Sequence, residues 1–258
     1  MLGVSVGVLC ALIATAVVGG VGITALGPGG VLPTAALFAL TGLTAAEVAG
    51  TSIVTHVATG VVGTLVFVRS GQLSSSATRR TATVLAAAAT VGTPVGVLVT
   101  TVVSQEAFGY VLAAVVAAAG IALWWRSRRA DGASLRRRHP PAVAVAVLGA
   151  GIAVLSGIVG LGGPMLAVPL LILVGVPMLE ALAAAQVQSI VIAVVGTVGY
   201  GVHGSIDWAL AVAIGVPEVV GVVLGWRLAR SLPTGALTTM LIVVLMALAP
   251  YLAFVAGR

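Results

Sequence analysis

The sequence has very few charged residues. Asp, Glu, Lys and Arg together make up 7% of its 258 residues, and apolar types make up 60%, whereas soluble domains carry about 25% charged residues. A chain with so few water-facing groups cannot cover a soluble surface, which excludes a soluble enzyme, a nucleic-acid-binding protein and a disordered tail. With a mean hydropathy of +1.24, it is predicted to be an integral membrane protein whose surroundings are the lipid bilayer.

The sequence also lacks the residues on which several chemistries depend. Its single cysteine, Cys10, excludes an internal disulfide and a cysteine-based metal cluster. It has no lysine, so no nucleotide-binding P-loop is possible. No His/Glu metal spacing and no Ser–His or paired-Asp set occurs at matching depth, which argues against an intramembrane enzyme. We therefore expect no catalytic residues, no metal and no cofactor.

All twelve basic residues are arginines, and six of them lie in the loop 126–139. Arginine-rich loops face the cytoplasm in membrane proteins, so we predict a multi-pass protein of the inner (plasma) membrane with this loop on the cytoplasmic side. The first twenty residues lack a basic start and are interpreted as a retained membrane segment. The loop gives the predicted division into a first transmembrane repeat (1–125), a linker (126–140) and a second repeat (141–258). Apolar stretches run over 2–26, 31–41, 45–68, 80–102, 107–125, 141–160, 164–175, 178–202, 206–226 and 234–256.

The two halves repeat each other at an offset of 133 positions. The clearest pairs at this offset are Gly27–Gly160, Gly29–Gly162, Gly30–Gly163, Gly42–Gly175 and Glu47–Glu180. Further along, the first half has ten extra residues, after which Gly92 and Pro94 align with Gly215 and Pro217. Glycines at a constant offset rarely match by chance, so the sequence indicates an internal duplication.

The arginines further predict that the halves have opposite orientations. Arg69, Arg79 and Arg80 follow the stretch 45–68, but the matching second-half loop "HGSIDW" has no arginine, whereas the next second-half loop holds Arg227 and Arg230. The fold class predicted is therefore an all-α integral membrane protein, a polytopic helical bundle of two inverted-topology repeats. Each repeat would open with a broken-helix hairpin at a glycine turn, because 31–41 and 164–175 are only about half long enough to cross the bilayer.

The glycine turns are candidates for an anion site. Short helices starting near Val31 and Pro164 would direct backbone N–H groups and the positive ends of their dipoles into the protein. Two such helix starts brought together can bind an anion near the bilayer midplane. The predicted contact residues are Gly29, Gly30, Gly162 and Gly163. The alternative is that these glycines only permit close helix packing.

Polar side chains inside the apolar stretches extend this prediction. Ser52, His56, Gln186 and Ser189 are predicted to line the anion cavity, and Thr51 and Thr55 to join helices. Glu218 lies near the middle of 206–226, where an acid is a functional candidate. It could carry a coupling proton, or it could pair with Arg227 or Arg230.

The duplicated turns "GITALGPGGVLP" and "GIVGLGGPMLAVP", followed by "GLTAAEVAGTS" and "GVPMLEALAAAQVQS", resemble the TauE/SafE family of sulfite-exporter-like proteins, also grouped as 4-toluene sulfonate uptake permeases. The similarity covers about Val4 to Phe254. It implies transport of organosulfur anions such as sulfite or sulfonates. The second half departs from the family pattern at Ala183–Ala185, ahead of Gln186 and Ser189.

The function predicted is a secondary transporter that exports a small organosulfur anion by alternating access. An anion leaving a negative-inside cell gains about 2.3 kcal/mol per charge per 100 mV, so export needs no coupled ion. The alternatives are a transporter or channel for a carboxylate, sulfate or thiosulfate, a proton-coupled importer, and a membrane-embedded partner subunit. The partners expected are a small anion and lipid, without nucleic acid, and a homo-oligomer is compatible with the sequence.

Overall fold

A computed structural model describes residues 4–129, 140–228 and 234–258. Side chains are described at all of these positions except 126, 129, 228, 234–238, 240 and 241. The described residues form ten α-helices. In chain order they are α1 (Val6–Ala25), α2 (Val31–Leu40), α3 (Ala45–Arg69), α4 (Ser76–Thr100), α5 (Gln105–Arg129), α6 (Ala142–Val159), α7 (Pro164–Leu173), α8 (Met178–Val202), α9 (Trp208–Leu228) and α10 (Thr234–Ala256). A 3₁₀ turn, Pro28–Gly30, precedes α2. Most of the predicted linker, residues 130–139, and Arg230 lie outside the described residues.

Seven of the helices are long and apolar enough to cross a membrane: α1, α3, α4, α5, α6, α8 and α9. The apolar segments Pro28–Leu40 and Pro164–Leu173 are shorter, and within α10 the segment Ile242–Ala256, for which side chains are described, is apolar as well. No strand occurs in the described part of the chain. The prediction of an all-α, polytopic membrane protein is therefore confirmed.

Helices from the two halves pair with each other across the bundle. α1 packs along α9, α6 packs along α4, and α5 packs along α10, while α3 and α8 contact each other at the centre. Glycines permit the closest approaches: a methyl group on Gly221 would collide with Val17 of α1, and one on Gly96 with Val154 of α6. Small residues allow such backbone contact between helices where apolar burial gives no net attraction in lipid.

These glycine contacts favour a different alignment of α4 and α9 from the one predicted. Gly92 packs against Ala150 and Gly96 against Val154. At the offset of 133, Ala150 and Val154 of α6 correspond to Val17 and Val21 of α1. Gly221 packs against Val17, and Gly225 packs against Val21. Gly92 and Gly96 thus correspond to Gly221 and Gly225, an offset of 129. At this offset the counterpart of Glu218 is Ala89, whereas the alignment of Pro94 with Pro217 predicted from the sequence pairs Glu218 with Val95.

Hydrogen bonds between helix ends establish which ends share a side of the bundle. The hydroxyl of Thr78, at the start of α4, donates to Glu180 at the start of α8 (2.6 Å). At the opposite side, the Gln105 amide donates to the Leu43 carbonyl (3.2 Å), and the Asp207 N–H donates to Thr51 (2.9 Å). We call the first side the arginine end, because Arg69 and Arg79 flank its α3–α4 turn, and the other side the far end.

Candidate functional site

The two glycine segments meet inside the bundle. Gly27 and Gly160 have φ values of 107° and 70°, a backbone conformation that favours glycine. A methyl group on Gly27 would lie 3.2 Å from the carbonyl oxygen of Pro164, the first residue of α7. The segment that precedes α2 therefore contacts the start of α7, although the two are separated by more than half of the chain.

A small buried cavity lies where these segments meet α3 and α8. Its volume is about 10 Å³, which is room for about one water molecule. The residues that line it are Ile23, Gly27, Gly30, His56, Thr59, Leu161, Gly162, Pro164, Met165 and Ser189. Four of these, Gly30, His56, Gly162 and Ser189, are among the site residues predicted from the sequence.

Both glycines face polar side chains across this cavity. A methyl group on Gly30 would lie 2.7 Å from Cε1 and 3.3 Å from Nε2 of His56. A methyl group on Gly162 would lie 2.7 Å from the Ser189 hydroxyl and 3.3 Å from Cγ of His56. The absence of side chains at these two positions is therefore what leaves the cavity open between the imidazole and the hydroxyl.

His56 is the most polar feature of the cavity wall. Its side chain is 2% exposed, and its Nδ1 atom lies 3.7 Å from Oε1 of Glu218 and 3.5 Å from the hydroxyl of Thr59. Its other ring nitrogen, Nε2, is buried without a hydrogen-bond partner in the described part of the chain. One side of the ring thus faces an acid, and the other has an unused nitrogen near the cavity.

The remaining predicted glycines contribute differently. A methyl group on Gly29 would collide with Gly19 of α1, so Gly29 packs against α1. Gly163 lies beside α8, where a methyl group would be 3.1 Å from the Ala185 carbonyl and 3.3 Å from the Ser189 N–H. Its φ of −54° is ordinary helical geometry. Space, and not backbone conformation, is what requires a glycine there.

Three predicted polar residues do not line the cavity. Ser52 shares a hydrogen bond with Thr34 of α2. Gln186 faces Gly63 of α3, and both of its amide atoms are buried without a partner. Glu218 lies behind His56 as seen from the cavity and has no exposed surface.

Sequence reasoning missed Thr59 and Thr34. Thr59 follows His56 by three positions and therefore shares its helix face, a signal that could have identified it. Thr34 offered no such signal, because its contact with Ser52 joins two helices. By contrast, Thr51 joins the start of α9 to α3, as predicted.

The helices that start beside the cavity have no side-chain caps. Neither Gly30, before α2, nor Gly163, before α7, provides one. The N–H groups of a first helical turn have no partner within the helix and carry its positive dipole end. At the start of α2, however, the Val31 N–H donates to the Gly29 carbonyl of the preceding 3₁₀ turn. Proline lacks an N–H group, so Pro33 in α2 and Pro164 in α7 donate nothing, which limits the available donors to their neighbours.

The buried polar cavity between two interrupted helices, in a bundle of membrane-length helices, is an arrangement typical of transporters. The model of the family described as Sulfite exporter TauE/SafE matches residues 11–252. The chain belongs to the TauE/SafE family. Searches of curated proteins and of solved structures find no match.

Membership of the TauE/SafE family confirms the resemblance seen in the sequence. The match extends from within α1 to within α10 and so includes every element around the cavity. TauE/SafE proteins are a membrane transporter family, and the description of the family indicates sulfur anions as the transported class.

Proposed function

We propose that this TauE/SafE protein is a secondary transporter for small organosulfur anions such as sulfite or sulfonates. The anion would bind between the starts of α2 and α7, with Gly30 and Gly162 leaving the space and His56 and Ser189 donating hydrogen bonds. The observation that carries the proposal is the buried cavity that these four residues enclose. Backbone N–H groups at helix starts donate hydrogen bonds to anions, so the site would bind anions in preference to cations.

We also propose that the halves form inverted repeats. Thr24 of α1 donates to the Val222 carbonyl of α9 (2.9 Å). One turn earlier in both helices, Gly20 of α1 packs against Glu218 of α9. These contacts support a parallel course of α1 and α9, so α1 would enter from the far end. α2 returns the chain to Leu43 at the same end.

The second half supports the opposite direction of entry. The Thr100 hydroxyl, at the far end of α4, donates to the Ile158 carbonyl of α6 (2.9 Å), and Gly149 packs against Leu85 closer to the arginine end. α6 would therefore enter from the arginine end, to which α7 returns the chain before Glu180. Four glycines with positive φ support the duplication, because Gly27–Gly160 and Gly71–Gly204 are each 133 positions apart.

The size of the cavity supports alternating access as the proposed mechanism. Sulfite has four heavy atoms and is larger than the single water molecule for which there is room. The structure is therefore interpreted as a closed state, in which the two glycine segments must separate toward one side to admit the anion. Outward flow is the favoured direction for an uncoupled anion, because the membrane potential drives negative charge out of the cell.

Counterflow in proteoliposomes tests the proposed function. Vesicles loaded with unlabelled sulfite should transiently accumulate labelled sulfite against its gradient, because a carrier exchanges one anion for another and a channel does not. Methanesulfonate, thiosulfate, sulfate and acetate would be offered as competitors. Flux without counterflow would identify a channel, and counterflow with acetate but with none of the sulfur anions would refute the substrate class.

Cysteine labelling tests the orientation. Ser74, in the α3–α4 turn, and His203, after α8, are both exposed. In a Cys10→Ala background, Ser74→Cys should react with a membrane-impermeant maleimide from the cytoplasmic side only, and His203→Cys from the outside only. Labelling of both from one side would contradict the proposed topology.

A further inference from the structure

His56 and Glu218 form a buried ionisable pair immediately behind the cavity. Their facing atoms, Nδ1 and Oε1, are 3.7 Å apart, and their side chains are 2% and 0% exposed. By distance and angle, neither carboxylate oxygen of Glu218 makes a hydrogen bond in the described part of the chain, although the side chain of Thr55 interacts with the carboxyl group. An isolated charge at such a position is costly, so a proton held between the two groups is what keeps the pair neutral.

No third titratable group in the described ranges faces this pair. On the helices packed against it, Glu47 accepts from Thr44 at the start of α3, Glu180 accepts from Thr78 at the start of α8, and the Tyr200 hydroxyl donates to Gly157. Cys10 of α1 is exposed. Arg227 is nine residues beyond Glu218, about 13 Å along the axis of α9. Among the described residues around the cavity, this pair is therefore the place where a proton can be gained or lost.

The pair is also asymmetric with respect to the duplication. The counterpart of His56, at an offset of 133, is Ser189, which lines the opposite side of the same cavity. The counterpart of Glu218, by the packing of Gly92 and Gly221, is the buried Ala89. Neither a serine nor an alanine side chain ionises near neutral pH. The His56–Glu218 pair joins the two halves, and its counterpart pair, Ser189 and Ala89, has no group that titrates near neutral pH.

The ring of His56 connects this pair to the cavity. Nδ1 faces Glu218, whereas Nε2 has no partner and lies 3.3 Å from the point where a methyl group on Gly30 would project. When the pair holds its proton, Nε2 can carry an N–H group that donates to an anion. When the proton has left, Glu218 is an uncompensated negative charge close to the bound anion and repels it.

We propose that the His56–Glu218 pair binds one proton with each anion, so that anion and proton move through the protein together. This inference rests on the proposed function. The proton comes from water on the side where the anion enters and returns to water on the side where both are released. Transport of a monoanion would then be electroneutral, and its direction would follow the anion gradient and the pH gradient instead of the membrane potential. Glu218, which does not touch the cavity, is a positioning and proton-holding residue.

The test measures protons and charge moved per anion in proteoliposomes of the full chain. The probes are methanesulfonate and thiosulfate, because neither takes up a proton near neutral pH. With the membrane potential clamped, an inward gradient of either probe should acidify the vesicle interior by one proton per anion. Entry of anions without protons would overturn the inference and leave the proposed function intact, whereas the absence of counterflow with sulfite and with all the other sulfur anions would refute the proposed function itself.

Variants identify the residues that hold the proton. In Glu218→Gln and in His56→Gln, the anion flux that remains should carry no proton, and the net charge moved per sulfite, obtained from the current that accompanies a measured flux of labelled sulfite, should become more negative by one. Glu106→Gln is the matched control, because Glu106 is an exposed acid at the start of α5. If both variants move the same charge per anion as the wild type and Glu106→Gln, the pair does not carry the proton. The comparison of the charge moved per sulfite between the variants and the wild type tests whether the pair carries the proton, even if neither methanesulfonate nor thiosulfate is transported.

Discussion

Replacement of Gly30 by alanine tests the cavity directly. The new methyl carbon would lie 2.7 Å from Cε1 of His56, whereas unstrained carbon atoms are about 3.5–4.0 Å apart. The ring would have to move by about 1 Å, and it cannot move freely because Glu218 and Thr59 lie on its other side. Overpacking of this kind costs about 1–3 kcal/mol of stability.

The effect on transport should exceed the effect on folding. The methyl group would occupy a cavity of about 10 Å³ and would displace the Nε2 donor from the anion. Loss of a hydrogen bond to a charged group costs about 1.5–3 kcal/mol, which corresponds to about a 10- to 100-fold lower kcat/KM. The assay is labelled-sulfite counterflow, with thermal unfolding in detergent as a parallel measure of folding.

Gly151→Ala is the control for this substitution. Gly151 lies within α6, and a methyl group there would have no neighbour within 4 Å, so alanine should be neutral or slightly stabilising in the helix. If Gly30→Ala were folded and transported sulfite with the KM and maximal rate of Gly151→Ala, the cavity between α2 and α7 would not be the anion site. The search would then move to the unpartnered amide of Gln186.

Three further substitutions separate structural from functional roles. Ser52→Ala removes the partner of the buried Thr34 hydroxyl. It should therefore lower the free energy of unfolding by about 1–3 kcal/mol and leave the KM for sulfite nearly unchanged. A higher KM at unchanged stability would instead support the cavity-lining role predicted from the sequence. Tyr200→Phe removes a 2.6 Å hydrogen bond to the Gly157 carbonyl and should destabilise the protein by about 1 kcal/mol, and an unchanged melting temperature would contradict this. Cys10→Ala should transport normally, since Cys10 is exposed and free, and loss of transport with normal expression would indicate thiol chemistry.

The sequence alone determined the class of the protein and the approximate positions of its helices. Low charge and long apolar stretches require a membrane-embedded helical bundle, because backbone polar groups in lipid can be satisfied within a helix. The break between α1 and α2, and that between α6 and α7, could be located because Gly27 and Gly160 take up backbone conformations that favour glycine. These are local properties, and local properties can be read from consecutive residues.

Tertiary structure decided which residues meet. Glu218 is 162 positions from His56, and nothing local to either residue indicates their contact. Packing also changed the alignment of α4 with α9, because close helix approach selects Gly221 and Gly225. Gly19, which by sequence alone resembles a tolerant helical glycine, would place a methyl group 2.9 Å from Pro33. Such contacts depend on how separate helices cross, and the spacing of residues along one helix does not determine that crossing.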